Sequence, residues 1–309
     1  MTLQAGATRP GRDAAGRTRA SGLARWLTAV VRTSRPRQWP KNLLVFAAPL
    51  AGASLGRDDG LGYALAAAAA FGCASVAVYF VNDVADADRD RGHPRKRHRP
   101  VAAGTLPKSH ALAIAALGGA AALAVGVLSE VPLLISAVTG YLGLSFLYSV
   151  LLKHIPVIEL VFVASGFLLR VLGGAVATHV RPSVWFLVVC CLGALGVATA
   201  KRYTELSVLG AEAARHRPAM RWYRPRLLRL AQYAIGAAMI VTYLLWASGE
   251  NAAARNWHEA SAIPLAAALV RFGALTARRT AQPVEDMITR DGPMLACELS
   301  WLALFVTGL

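Results

Sequence analysis

Charge is scarce in this chain, and negative charge scarcest: 16% of its 309 residues are Asp, Glu, Lys or Arg, with 17 acids against 33 bases. Hydrophobic residues make up 56% and gather in runs near the roughly 20 residues that cross a bilayer, which excludes a soluble enzyme. Cysteine is scarce too. Cys73, Cys190, Cys191 and Cys297 lie inside apolar segments with no CxxC or His-paired spacing, which argues against zinc and for free thiols. No Gly/Ser/Pro-rich linker interrupts the apolar series after about residue 42, so nothing calls for a second domain. The opening MTLQAGATRPGRDAAGRTRA lacks the apolar core of a cleaved signal peptide.

What remains reads as an all-α integral membrane protein with about nine transmembrane helices. Spans are expected at about 43–56, 61–82, 110–129, 131–150, 155–180, 183–200, 228–248, 260–276 and 292–308. Before them, residues 1–21 read as a disordered tail and 22–42 as an interfacial amphipathic helix with a basic segment. In that helix Leu23, Trp26, Leu27, Val30 and Val31 fall at helical spacing. Residues 43–309 are expected to form a single helical membrane domain.

On this frame 29 of the 33 Lys and Arg fall in the N-terminal segment, the alternate loops and the span ends that adjoin them, while the opposite loops hold Arg57, Arg181 and Arg255. The positive-inside rule therefore places the N-terminus and the basic loops in the cytoplasm. Topology thus accounts for most of the net charge of +16. With no recognition motif beside it, that charge points to membrane lipid headgroups and not to nucleic acid.

One stretch is unlike the rest. In VNDVADADRDRGHPRKRHRPVAAG, the acids begin inside the second span, where ionisable groups are costly and usually functional. Asn82, Asp83, Asp86 and Asp90 have the spacing NDxxDxxxD, which at 100° per residue confines them to a helix sector of about 100°. Asp88 projects to the other side. Carboxylates sharing a face repel unless a cation sits among them, and hard oxygen donors suit Mg²⁺, usually shared with substrate phosphates. Lys96, Arg97 and Arg99 follow at once and offer cations to phosphate oxygens.

A second cluster, ATAKRYTEL, ends the sixth span with Lys201, Arg202 and Glu205. Lys201 and Glu205 share a helix face, so the pair reads either as an intrahelical ion pair or as part of one site with the acidic motif. Lys153 is the one cation of its loop. Glu159 and Arg170, eleven residues apart, lie on nearly the same face of the fifth span, either as structural partners or as lining of a lipid-phosphate path. The loop RRTAQPVEDMITRDG is placed to lie over such a site, with Asp286 and Asp291 read as solvated.

NDxxDxxxD on a multi-span helical protein resembles the UbiA superfamily of intramembrane prenyltransferases, which bind Mg²⁺-diphosphate through two Asp-rich motifs at the cytoplasmic side. The likeness covers nearly all the chain after about residue 34. It implies a helical bundle with a central cavity open to the cytoplasm of a plasma-membrane protein. The second motif departs from the usual DxxxD, having KRYTE instead. With RPRQWPKNLLVFAAPL before the first span, it resembles the branch of decaprenyl-phosphate phosphoribosyltransferases.

That resemblance implies transfer of 5-phosphoribose from phosphoribosyl pyrophosphate (PRPP) to a polyprenyl phosphate, a step toward cell-wall arabinan. By position, Asn82, Asp83, Asp86 and Asp90 would hold Mg²⁺ and pyrophosphate. Lys41, Lys96, Arg97, Arg99, Lys201 and Arg202 would meet phosphates, and Glu205 a ribose hydroxyl or the metal. Lys153, Glu159 and Arg170 are carried as substrate-binding candidates, and a homo-oligomer is left open. Two alternatives remain: prenyl transfer to an aromatic acceptor, which KRYTE disfavours, and an ion-coupled transporter, which would place its polar residues nearer the midplane.

Overall fold

Helices are the only regular elements among the described residues. In hydrocarbon every backbone polar group must find its partner within its own segment, which long apolar runs can do only as helices. The computed structural model describes residues 12–57, 59–93, 96–150, 155–210, 213, 218–250, 252–278 and 282–309.

The elements in order are α1 (Arg12–Ser34), a 3-10 segment (Pro36–Phe46), α2 (Ala47–Ala51), α3 (Gly60–Arg91), α4 (Lys108–Leu128) and α5 (Pro132–Val150). Then come α6 (Ile158–Ala177), α7 (Val184–Leu209), α8 (Pro225–Ser248), α9 (Ala252–Thr276), α10 (Val284–Arg290) and α11 (Gly292–Thr307). The helix α1 starts at Arg12, inside the segment read as a tail.

Among the described residues seven helices, α3 to α9, are long and apolar enough to cross a membrane, which makes this a multi-pass membrane protein. Two of the nine expected spans fall short of that length. The stretch read as the first span contains the end of the 3-10 segment, then α2, five residues long and broken at Gly52. Pro36 and Pro40, which lack the N–H that an α-helix would use, lie in the 3-10 segment that precedes α2. The last, α11, has 16 residues, about 24 Å at 1.5 Å per residue.

The chain forms two compact units. The first comprises Met1–Trp39 and Val76–Gly118. Its core contains Ala29 of α1, Phe80 and Ala87 of α3, Leu106, and Ala111 of α4, with Trp26 and Val30 packed against them. Leu23, Leu27 and Val31, on the other side of α1, are exposed. Two faces of one short helix are thus assigned: one to the core and one left for lipid or water.

The second unit comprises Pro40–Ser75 and Gly119–Leu309. Here α7 packs on α8 and α6, α5 on α6, and α9 on α11 and α8. The 3-10 segment lies directly on α6. A Cβ added at Gly174 would stand 1.7 Å from the Val45 carbonyl oxygen, so only glycine permits this approach. That contact fixes the segment that carries Lys41. All four cysteines are free thiols, as expected.

Candidate active site

The first unit contains the acidic motif. Asp83 and Asp90 are buried, Asn82 and Asp86 half-buried and Asp88 exposed, which follows the helical wheel. Arginines take up the buried pair. Arg35 donates from Nη2 to Asp83 Oδ1, and Arg99 Nη1 lies 2.8 Å from Asp90 Oδ2 and 3.4 Å from Asp83 Oδ1. Asp88, on the other face, pairs with Arg91 at 2.7 Å and Lys108 at 3.3 Å.

Among the described residues, no three His, Cys, Asp or Glu side chains are grouped to hold a metal. The donors nonetheless suit a hard divalent cation, being three carboxylates and an amide on one helix face. To close on an ion, Asp83 and Asp90 must exchange Arg35 and Arg99 for it. Arg35 was not singled out in the sequence. Its signal is structural: it sits just after α1 with φ 53, a left-handed conformation uncommon outside glycine, and it lies 5.1 Å over the Tyr79 ring. Arg97 is exposed and bonds His98, while Lys96 lies close enough to Asp90 to stabilise its charge. Lys153 lies outside the described residues.

The second unit contains the basic cluster, and of the two readings of Lys201 and Glu205 the intrahelical ion pair is not the one formed. Lys201 Nζ is 2.5 Å and Lys41 Nζ 3.0 Å from the same oxygen, Oε1 of Glu285 on α10. Glu205 pairs instead with Arg202 at 3.0 Å. Burial and the neighbouring Lys201 charge push the Lys41 ammonium down to about 8, against the pull of Glu285. Burial pushes Glu285 the other way, but Lys201 and Lys41 override it and hold the carboxyl at about 2. No sequence signal marks Glu285, since three segments far apart in the chain meet there. The expectation that its loop lies over a site did reach it.

Glu159 and Arg170 do not bond one another. Eleven residues along α6 amount to about 16 Å of rise, too far for either side chain to bridge. Glu159, fully buried, accepts from Arg202 Nε at 2.8 Å. It stands two residues after Val157, whose φ of 65 is unusual for a β-branched residue and whose N–H donates to the Tyr223 hydroxyl at 2.8 Å. Arg170 donates to Asn42 Oδ1 at 2.9 Å, Ser75 Oγ at 2.7 Å, the Tyr141 hydroxyl at 2.9 Å and the Gly166 carbonyl at 2.7 Å. All four acceptors are neutral.

Next to the lysine pair the second unit is hollow. A cavity of about 610 Å³ is lined by Leu44, Phe167, Val197, Met239, Tyr243 and further apolar residues, with Glu298 an acidic exception. The Lys41 ammonium lies 5.9 Å from the Phe167 ring centroid. Leu44 follows Lys41 by three residues and Val197 precedes Lys201 by one helical turn. A second apolar cavity of about 590 Å³ shares Val197, Met239 and Met294 with the first. Cationic groups at the edge of an apolar hollow suit an amphiphile with an anionic head.

A multi-span helical fold, an acidic helix face and a basic cluster beside an apolar cavity define the class of intramembrane enzymes that act on phosphorylated lipids. The chain belongs to the UbiA prenyltransferase family, which matches residues 43–287. Decaprenyl-phosphate phosphoribosyltransferase of Mycobacterium tuberculosis is 36% identical over 284 residues, 91% of this chain and 94% of that one. The Corynebacterium glutamicum protein of the same name is 33% identical over 286 residues, 91% of this chain and 86% of that one. Among solved structures, a UbiA homolog from Archaeoglobus fulgidus bound to GPP and Mg²⁺ superposes with a TM-score of 0.69 at 14% identity, covering 91% of this chain and 98% of that one.

Proposed function

We propose that this chain transfers 5-phosphoribose from PRPP to a polyprenyl phosphate such as decaprenyl phosphate, releasing pyrophosphate. The observation that carries the reading is likeness over 91% of the chain to proteins of that activity by name. The basic cluster supports it. Where an ordinary prenyltransferase would place its second acidic motif, Lys201 and Arg202 supply cations, which suits substrates bearing more phosphate than a prenyl diphosphate does.

In the reaction the bond from the anomeric carbon to the pyrophosphate oxygen breaks and one to a lipid phosphate oxygen forms. Asn82, Asp83, Asp86 and Asp90 would hold Mg²⁺ with the pyrophosphate, and a relative in fold has been solved with that ion. The ion would supply positive charge against the charge that grows on the leaving group. Arg35 and Arg99, which engage these acids, would add cations for phosphate oxygens. Lys96 and Arg97 add positive charge for the donor. Lys41 and Lys201 bind phosphate, and the apolar cavity receives the prenyl chain. Arg202 orients Glu205, which accepts from a ribose hydroxyl. Lipid phosphate is already anionic near neutral pH, so the step needs no general base. The enzyme lies in the plasma membrane with these groups on the cytoplasmic side, by the charge asymmetry of its loops, and its product serves cell-wall arabinan synthesis.

The test is incubation of detergent-purified protein with Mg²⁺, radiolabelled PRPP and polyprenyl phosphate, counting label in the organic phase. Label that depends on lipid and metal is expected. Asp86→Asn should reduce it beyond the roughly 10–100-fold typical of outer-shell changes at metal sites. Absence of label, with activity from prenyl diphosphate and an aromatic acceptor, would replace this reading with prenyl transfer.

A further inference from the structure

We propose that Glu285 is an internal stand-in for the phosphate of the lipid substrate, so that the headgroup and the Glu285 carboxylate compete for Lys41 and Lys201. This rests on the function proposed above. One Glu285 oxygen accepts from both ammonium groups, at 3.0 and 2.5 Å, the distances at which a phosphate oxygen would be held.

Charge favours an occupant. Lys41 on the 3-10 segment feels the positive charges of Lys201 on α7 and Arg170 on α6, and Glu285 is an attractive charge that opposes them. Without the carboxylate, like charges would face each other with only partial screening by solvent. An anion between the lysines relieves that repulsion, and Glu285 supplies it until substrate arrives.

Exchange is mechanically simple. The Glu285 side chain is 26% exposed, and the lysines 19% and 29%, so the carboxylate can swing to water by a change of rotamer. Its helix need not move: Val284 and Met287, on either side of it in sequence, are buried. The occupant is identified by what adjoins the lysines. The cavity wall at Phe167, Leu44 and Val197 is apolar, which suits a phosphomonoester carrying a long hydrocarbon tail and not the wholly polar PRPP.

Direct binding tests this without relying on turnover. Detergent-solubilised full chain at pH 7 is titrated with a polyprenyl phosphate, the matching uncharged polyprenol, and PRPP with Mg²⁺. If Glu285 fills the site about nine-tenths of the time, Glu285→Gln should bind the polyprenyl phosphate about tenfold more tightly, because the competent fraction rises to one. Binding of polyprenol and PRPP should stay unchanged. Glu285→Asp, with a shorter reach for the two lysines, should fall between wild type and Glu285→Gln, and covers the case in which the neutral variant fails to fold. Unchanged or weaker lipid-phosphate binding in both variants would overturn the inference. So would tightening toward PRPP instead, which would assign the lysines to the donor. The two proposals fail separately: competition can persist in a protein that transfers no phosphoribose, and transfer can proceed with lipid affinity indifferent to residue 285.

Discussion

Two groups of basic side chains in the second unit treat charge in opposite ways. Arg170 is 5% exposed and spends its guanidinium on four fixed, neutral acceptors, with the Tyr141 ring 4.5 Å beneath it. Lys41 and Lys201 share one oxygen of one partly exposed carboxylate. A planar fork whose donors are met by scaffold oxygens has little left to offer a ligand, whereas compact ammonium groups on flexible stems can trade one anion for another. Burial of a cation is therefore no guide to function here; the exchangeability of its partner is. By that measure Arg170 ties α6, α5, α3 and the 3-10 segment together, and the lysines are the pair proposed to bind phosphate.

Arg170→Ala should give the largest effect on stability. It takes one donor away from each of Asn42, Ser75, Tyr141 and the Gly166 carbonyl. At about 1–3 kcal/mol for each group left unsatisfied, and with Ser75 able to bond Asn42 as partial relief, a loss of about 3 kcal/mol or more is expected. Thermal melting in detergent reads it, while lipid-phosphate affinity of the fraction still folded should hold. A variant that melts normally but loses the lipid would break the comparison and move Arg170 into the binding group.

The lysines predict a pH profile. Lys41 is held at about 8, below its ordinary 10.5, by burial first and by Lys201 second, with Arg170 adding to the effect and Glu285 opposing it. The group is charged below that value and loses its proton as pH rises through it. Lipid-phosphate affinity should thus decline above about pH 8, and Lys41→Arg, charged throughout, should remove the decline. The sign for stability is opposite. Between pH 8 and 10.5 the folded protein binds fewer protons at this site than the unfolded chain, so this group makes stability rise with pH there. A decline that survives Lys41→Arg would locate the titrating group elsewhere.

The acidic motif was legible because a single helix carries it. Asp83 and Asp90 are buried and Asp88 exposed on α3 by a periodicity that needs no tertiary information. The lysine cluster was legible only by halves. Lys41 and Lys201 could be named, but Glu285 meets them across more than 80 residues on one side and 240 on the other, and no local pattern encodes such a meeting. Helix face alone left the pairing open. Lys201 and Glu205 share a face, yet Lys201 bonds Glu285 from a distant segment and Glu205 bonds Arg202 one turn away on its own helix. Span positions, like the acidic motif, were legible: seven of the nine expected spans coincide with membrane-length helices among the described residues, and the first and last correspond to shorter apolar helices.

Asp291 carries the smallest effect and sharpens the rule of exchangeable partners. The sequence offered it as a solvated acid, but it is the N-cap of α11. Its Oδ1 accepts from the Met294 N–H at 3.0 Å, and its two oxygens receive Arg271 at 2.9 and 2.8 Å. Those bonds hold its carboxyl below the usual range, the Arg271 hydrogen bonds most of all. Although charged and near α10, it resembles Arg170 and not Glu285, since its donors belong to the scaffold and leave nothing to exchange. Asp291→Asn retains a good capping oxygen and loses only charge toward Arg271; Asp291→Ala loses both. Melting temperatures should therefore fall in the order wild type, Asn, Ala, each by less than Arg170→Ala, with lipid-phosphate affinity unmoved. Tighter lipid binding in Asp291→Ala, as expected of Glu285→Gln, would show that general acidity near the site sets affinity, and would remove the distinction between a scaffold carboxylate and an exchangeable one.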